Sequence, residues 1–190
     1  MSKFLVFSTV TDRDRRTVAF KQWISEDKDY RTALAYTGFS YDREIELEQA
    51  TNYFFNTKET SNLKNFLTFY RYFKGHKKHE YDFYFLLDSN IFFPTYFLRD
   101  YLKLVKENKI DVSSPVHEKR QKNKFNIRKL IQKPAGKVFE TDLCDERAVC
   151  LSKKAAKKLD SLTRKKIKFN KKTFNNLSFL AINFTPIKYV

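Results

Sequence analysis

Residues 81–91 read Tyr81-Asp82-Phe83-Tyr84-Phe85-Leu86-Leu87-Asp88-Ser89-Asn90-Ile91. Apart from Asp82 the run Tyr81–Leu87 is aromatic and aliphatic and too short for a buried helix, which predicts a strand buried on both faces. It delivers Asp88 at its carboxyl end, with Asn90 two residues on. Downstream, Pro94 suits the first turn of a helix, where its missing N–H is not needed, and that helix reaches about Glu107. Asp111 to Ser114 predicts a further strand, closed by Pro115. Upstream, Phe4 to Val10 (FLVFSTV) predicts another buried strand, then a polar turn through Thr11-Asp12-Arg13-Asp14-Arg15-Arg16 and a helix through Trp23 and Ile24.

The same alternation continues elsewhere. Thr32 to Tyr36 predicts a strand stopped by Gly38, and Asn52 to Phe55 a short one. Thr60 or Ser61 caps a helix that carries Leu63, Phe66, Leu67, Tyr70 and Phe73 at helical spacing. Ala148 to Leu151 predicts a strand, Ser152 to about Leu162 a helix, and Phe179 to Phe184 a last strand. Strands alternating with helices predict a single α/β domain, Rossmann-like, with a mostly parallel central sheet. Such sheets bind ligands at the carboxyl ends of their strands.

Composition narrows the chemistry. Apolar residues make up 42% of 190, enough for a sizeable core. Three scattered glycines, Gly38, Gly75 and Gly136, write neither GxGxxG nor GxxxxGK[ST]. Cys144 and Cys150 make no disulfide framework or zinc spacing, and His76, His79 and His117 show no HExxH pattern. No serine or cysteine sits in a nucleophile elbow. No apolar run approaches the roughly 18 residues that span a bilayer. Asp12, Arg13 and Asp14 interrupt any signal-peptide core, so the expectation is a soluble, cytoplasmic protein without a membrane span. Oligomeric state is left open.

The net charge of +16 is concentrated. Residues 117–133 carry seven basic side chains against Glu118, and residues 153–172 carry ten against Asp160. A solvated helix face and a polyanion-binding surface both fit these runs. Coding bias towards lysine would spread it evenly, so the asymmetry favours the second, most simply nucleic acid.

The stretches YDFYFLLDSNI and YFLRDYLKLVKENKIDVSSP resemble nucleotide-sugar glycosyltransferases of the GT-A fold, with their strand–Asp-x-Asp–helix–strand–Pro order. FLVFSTVTDRDRR followed by Trp23 is similar to the opening of one branch, and Asp145-Glu146-Arg147-Ala148-Val149-Cys150-Leu151-Ser152 to a later segment. The resemblance covers residues 3–160. It implies a GT-A-like domain with a donor-nucleotide half, 1–116, and a basic acceptor half, 117–190.

In such enzymes a divalent cation, Mn²⁺ or Mg²⁺, neutralises the diphosphate of the donor, here most simply a UDP-sugar, and hard cations take oxygen ligands. The resemblance puts Asp88 and Asn90 at that position. Asn90 supplies a neutral oxygen where the family has a second Asp, which weakens the metal site. It puts Thr9, Thr11, Asp12, Arg13, Arg15 and Arg16 beside the nucleotide, where guanidinium groups match phosphate. Ser89, Lys64 and Tyr36 join them, with Tyr36 or Phe39 as a base-stacking ring. If the transfer inverts configuration, Asp145, with Asp142 and Glu146 behind it, is the expected general base.

The basic segment, His117, Lys119, Arg120, Lys122, Lys124, Arg128 and Lys129, then meets a polyanionic acceptor. Modified DNA fits best, as in the phage enzymes that glycosylate hydroxymethylated cytosine. A glycan acceptor, or a non-catalytic nucleic-acid-binding protein on a degenerate transferase fold, are the alternatives.

Overall fold

The computed structural model describes residues 3–12, 30–89, 91, 95–116, 138–141, 144–162, 169–170, 172–175 and 177–183. The chain begins with β1 (Phe4–Val10), β2 (Tyr30–Tyr36), α1 (Tyr41–Ala50), β3 (Tyr53–Asn56) and α2 (Asn62–Phe73). It continues with β4 (Phe83–Leu87), α3 (Thr95–Glu107), β5 (Val112–Val116) and β6 (Val138–Glu140). The last described elements are β7 (Ala148–Ser152), α4 (Lys153–Ser161) and β8 (Phe179–Asn183). The strands form one mixed sheet in the order β3-β2-β1-β4-β7-β5-β8-β6. Its β1–β2, β1–β4, β2–β3 and β5–β8 ladders are parallel and the others antiparallel.

Every residue of β1 is buried, as a strand covered on both faces requires. Phe4, Val6 and Val10 join a core with Leu47 of α1 and Leu98, Tyr101, Leu102 and Val105 of α3. Leu5 and Phe7 face the other way, onto Phe66, Leu67 and Phe69 of α2 and Ala155, Ala156 and Leu159 of α4. The sheet is therefore a filling between two helical layers. At its centre Phe7 meets Phe66 and Phe69 at ring-centroid distances of 5.6 Å, and such pairs add about 0.5–1.5 kcal/mol each beyond their buried area.

Most predicted elements lie within two residues of the observed ones. The cap of α2 is Ser61, whose side chain accepts from the Lys64 amide, and that of α4 is Ser152, which accepts from the Ala155 amide. Gly75, at φ +90°, turns the chain after α2 in a conformation that L side chains resist. Pro115 does not close β5 but sits inside it. Pairing with β7 is confined to Val112 and Ser113, so no ladder on that side needs the amide proline lacks. Helix α1 and strand β6 are additions to the sequence reading. The helix expected through Trp23, and Pro94, lie outside the described residues.

Candidate functional site

The chain runs outward from β1 to β2 and β3, then returns to the other side of β1 with β4. In sheets of this kind such a reversal marks the crevice at the carboxyl ends of the strands as the place where ligands are taken. Val10, Tyr36, Asn56 and Leu87 end β1 to β4 along that edge. Because β7 runs antiparallel, with Ala148 opposite Leu87, its preceding turn arrives there too. The Asp88 amide donates to the Arg147 carbonyl at 2.7 Å. Two regions far apart in sequence thus bring Asp88, Asp145 and Arg147 together.

The β1 and β2 ends are clasped by Asp12. Its carboxylate accepts from the Tyr36 hydroxyl and, at 2.6 Å, from the Phe39 amide. Its carbonyl accepts from Arg43 Nη1 at 3.1 Å. The Tyr36 hydrogen bond first, then that of the Phe39 amide, holds the Asp12 carboxyl below its usual range. Burial, then Asp12, pushes the Tyr36 phenol up. A Cβ on Gly38 would overlap the Asp12 carboxylate and the Tyr36 ring, so only glycine fits there. Tyr36 itself is 1% exposed and packs on Phe54, which corrects its expected place as a stacking ring: it braces Asp12. Phe39, by contrast, is fully exposed, 102% on the relative scale, beside the same turn.

A second network lies beneath. Buried Asn65 donates from Nδ2 to the Glu59 carbonyl at 2.7 Å and to Thr9 Oγ1 at 3.1 Å, and accepts from Thr57 Oγ1 at 3.1 Å. Thr9 in turn donates to Asn62 Oδ1 at 3.1 Å. Asn62 Nδ2 is buried with no hydrogen-bond partner among the described residues. Ser8 Oγ donates to the Leu87 carbonyl at 2.6 Å and ties β1 to β4. Thr9 is thus a buried bracket, and Thr11 is half-buried at the strand end. Lys64, exposed on the first turn of α2, pairs with Glu59 at 2.9 Å. That contact, ahead of the Ser61 amide, draws the Glu59 carboxyl down.

Asp88 is half-buried, Ser89 buried and Glu146 exposed. Both Asp145 oxygens are taken by Arg147, with Nε at 3.0 Å on Oδ1 and Nη2 at 2.8 Å on Oδ2. The described residues therefore assemble no metal site: no group of three His, Cys, Asp or Glu among them could hold an ion. Asn90, Asp142, Arg13, Arg15 and Arg16 lie outside the described residues. So do His117, Lys119, Arg120, Lys122, Lys124, Arg128 and Lys129. Sequence reasoning missed Arg147, Asn62 and Asn65. The Asp-x-Arg spacing at Asp145 was a signal for the first; the asparagines carried none.

No protein-family model matches the sequence, and no curated protein does. Solved structures are similar in fold. TarS of S. aureus superposes on 97% of this chain with a TM-score of 0.60 at 12% identity. Its 1–349 piece in complex with UDP covers all of the chain at 0.59 and 12%. The 4-diphosphocytidyl-2C-methyl-D-erythritol synthase of Anaerococcus prevotii covers all of it at 0.60 and 10%. The chain has a GT-A-like fold. It spans 36% of the TarS chain, 60% of the UDP-bound piece and 92% of the synthase. No helix among the described residues is long and apolar enough to cross a membrane.

Proposed function

We propose that the protein is a nucleotide-sugar transferase that holds a UDP-type donor at the carboxyl edge of β1, β2 and β4. The observation that carries this reading is the reversal of strand order beside β1, in a GT-A-like fold whose similar structures include one bound to UDP. Phe39 supplies an exposed ring for the base. The Asn62 amide, buried and without a partner among the described residues, supplies a donor that a ligand oxygen can satisfy, and such groups are rare without a partner. Arg13, Arg15 and Arg16 are the proposed diphosphate contacts, with Asp88 and Ser89 beside the sugar. If a divalent ion joins the donor, Asp88 and Asn90 are the residues to hold it.

In the proposed transfer an acceptor hydroxyl forms the new bond to the anomeric carbon. The bond to the diphosphate breaks with its electron pair, and a carboxylate takes the hydroxyl proton. Asp145 is the proposed base, with its carboxylate oriented by Arg147; Asp142, three residues before it, and Glu146, directly after it, stand behind it. The concentrated positive charge supports a polyanionic acceptor, most simply modified DNA, with the 1–116 half on the donor and the 117–190 half on the acceptor. A second reading, a nucleic-acid binder without catalysis, is favoured by the closed Asp145–Arg147 pair.

Thermal melts with a panel of nucleotides and nucleotide sugars, with and without Mn²⁺, test the donor site. UDP at a hundred times its Kd should add about 2.7 kcal/mol, or roughly 5–11 °C for a chain of this size. No shift with any nucleotide at millimolar concentration overturns the proposal. UDP-sugar turnover that falls about 10²–10⁴-fold in Asp145→Asn separates the enzyme from the binder.

A further inference from the structure

Helix α4 reads Lys153-Lys154-Ala155-Ala156-Lys157-Lys158-Leu159-Asp160-Ser161. Ala155, Ala156 and Leu159 are buried against the sheet, so helical periodicity turns its lysines outward. Lys153 is occupied by Glu80 at 2.6 Å, and Lys158 donates to the Asn175 carbonyl at 2.7 Å. Lys154 and Lys157 stand exposed between them.

Helix α2 completes the surface. Arg71 and Lys74, at its carboxyl end, both reach Asp160, at 2.7 and 2.8 Å. Burial pushes the Asp160 carboxyl up, and Lys74 and Arg71 more than reverse this, so it stays ionised and holds both cations in place. Lys74, Lys154, Lys157, Lys158, Asp160 and Ser161 line an open concavity of about 430 Å³. Five cations thus surround one carboxylate. None of this draws on the crevice residues of the donor site.

We propose that this α2–α4 surface binds the phosphate backbone of duplex nucleic acid without reading its sequence. A single small anion would gain little from exposed lysines in water, because such pairs are weak and screened. A regular array of phosphates gains from all of them at once by releasing condensed counterions. Among the described residues that line it there is no aromatic side chain on which unpaired bases could stack, which separates it from single-strand sites. Nor is there among those described residues an apolar side chain to enter a lipid interface or anchor a protein partner. Duplex binding stands on this surface alone; delivery of the duplex as acceptor of the proposed transfer rests in addition on the donor-site reading.

Fluorescence anisotropy of a labelled 20-base-pair duplex with the full chain, between 50 and 200 mM salt, tests it. Each phosphate contact contributes about 0.9 to the logarithmic salt slope, so Lys154→Ala with Lys157→Ala should flatten that slope by about 1.8. Over this range the parent should then lose about 12-fold more affinity than the variant. Lys103→Ala with Lys106→Ala, on α3 across the sheet, should leave the slope unchanged.

Equal slopes for the parent and the α4 variant overturn the proposal, as does an equal flattening by the α3 variant. Competition by poly-glutamate or by phosphatidylserine vesicles as effective as that by the duplex also overturns it. The UDP-induced thermal shift, measured on the same α4 variant, should be retained. Its absence in the parent would count against the donor site and not against this surface.

Discussion

Replacing Asn65 with alanine removes the hub beneath the crevice. Three hydrogen bonds go at once, two donated by Nδ2 and one accepted by Oδ1. Thr9 keeps its bond to Asn62, and Thr57 still accepts from the Glu59 amide at 3.1 Å. The Glu59 carbonyl has no such substitute among the described contacts. Buried hydrogen bonds contribute about 1 kcal/mol net, and a group left unsatisfied costs about 1–3 kcal/mol, so the loss should be about 3 kcal/mol. For a chain of this size that is a fall of roughly 6–12 °C in Tm.

Urea unfolding should show a lower midpoint with the same slope, since the surface exposed on unfolding is unchanged. UDP affinity, measured by calorimetry, should fall as well, because the network fixes Thr9 and the start of α2 at the crevice. Leu102→Ala, in the core of α3, should cost about 2–5 kcal/mol while leaving UDP affinity alone. An Asn65→Ala protein destabilised by less than about 1 kcal/mol would refute the hub.

Phe39→Ala should leave Tm unchanged, because the ring is exposed, and should weaken UDP binding by about 1–3 kcal/mol, the range of base–aromatic stacking; an unaltered Kd removes the ring from the site. Gly38→Ala should separate Asp12 from Tyr36 and lower Tm, and a melt that matches the parent's argues against the clasp. Asp12 is depressed when folded, so its contribution is present above its unfolded value of 3.8 and lost as pH falls through the folded one. Acid melts should therefore be steeper below pH 4 for the parent than for Asp12→Asn, and identical acid limbs would dismiss the linkage.

The strands that hold the crevice were readable because both of their faces are buried. FYFLL is a continuous apolar run and FLVFSTV is one but for Ser8 and Thr9, and the environment leaves them no other structure. Helix α1 was not readable for the opposite reason: of Tyr41–Ala50 only Leu47 is buried, so no apolar stripe marks it. Strand β6, of three residues, is too short for any period to show. Asp88 could be placed because it ends the strongest strand. The Asp12–Tyr36–Gly38 clasp and the Asn65 hub depend on long-range proximity, which one sequence does not carry. The partner that takes both oxygens of Asp145 is only two residues away, yet a local Asp-x-Arg is too common to be singled out.

The antiparallel insertion of β7 between β4 and β5 sets an order of events during synthesis. Strand β4 finds β1 behind it in the chain, but its other edge pairs with residues made about sixty positions later. At about 5–20 residues per second, the ribosome leaves that edge open for roughly 3–12 s. The waiting strand, Phe83-Tyr84-Phe85-Leu86-Leu87, has no charge or proline to discourage a neighbour. A nascent chain halted at this stage is therefore an aggregation hazard, and its yield in cells should depend on chaperones that shield such edges until β7 emerges.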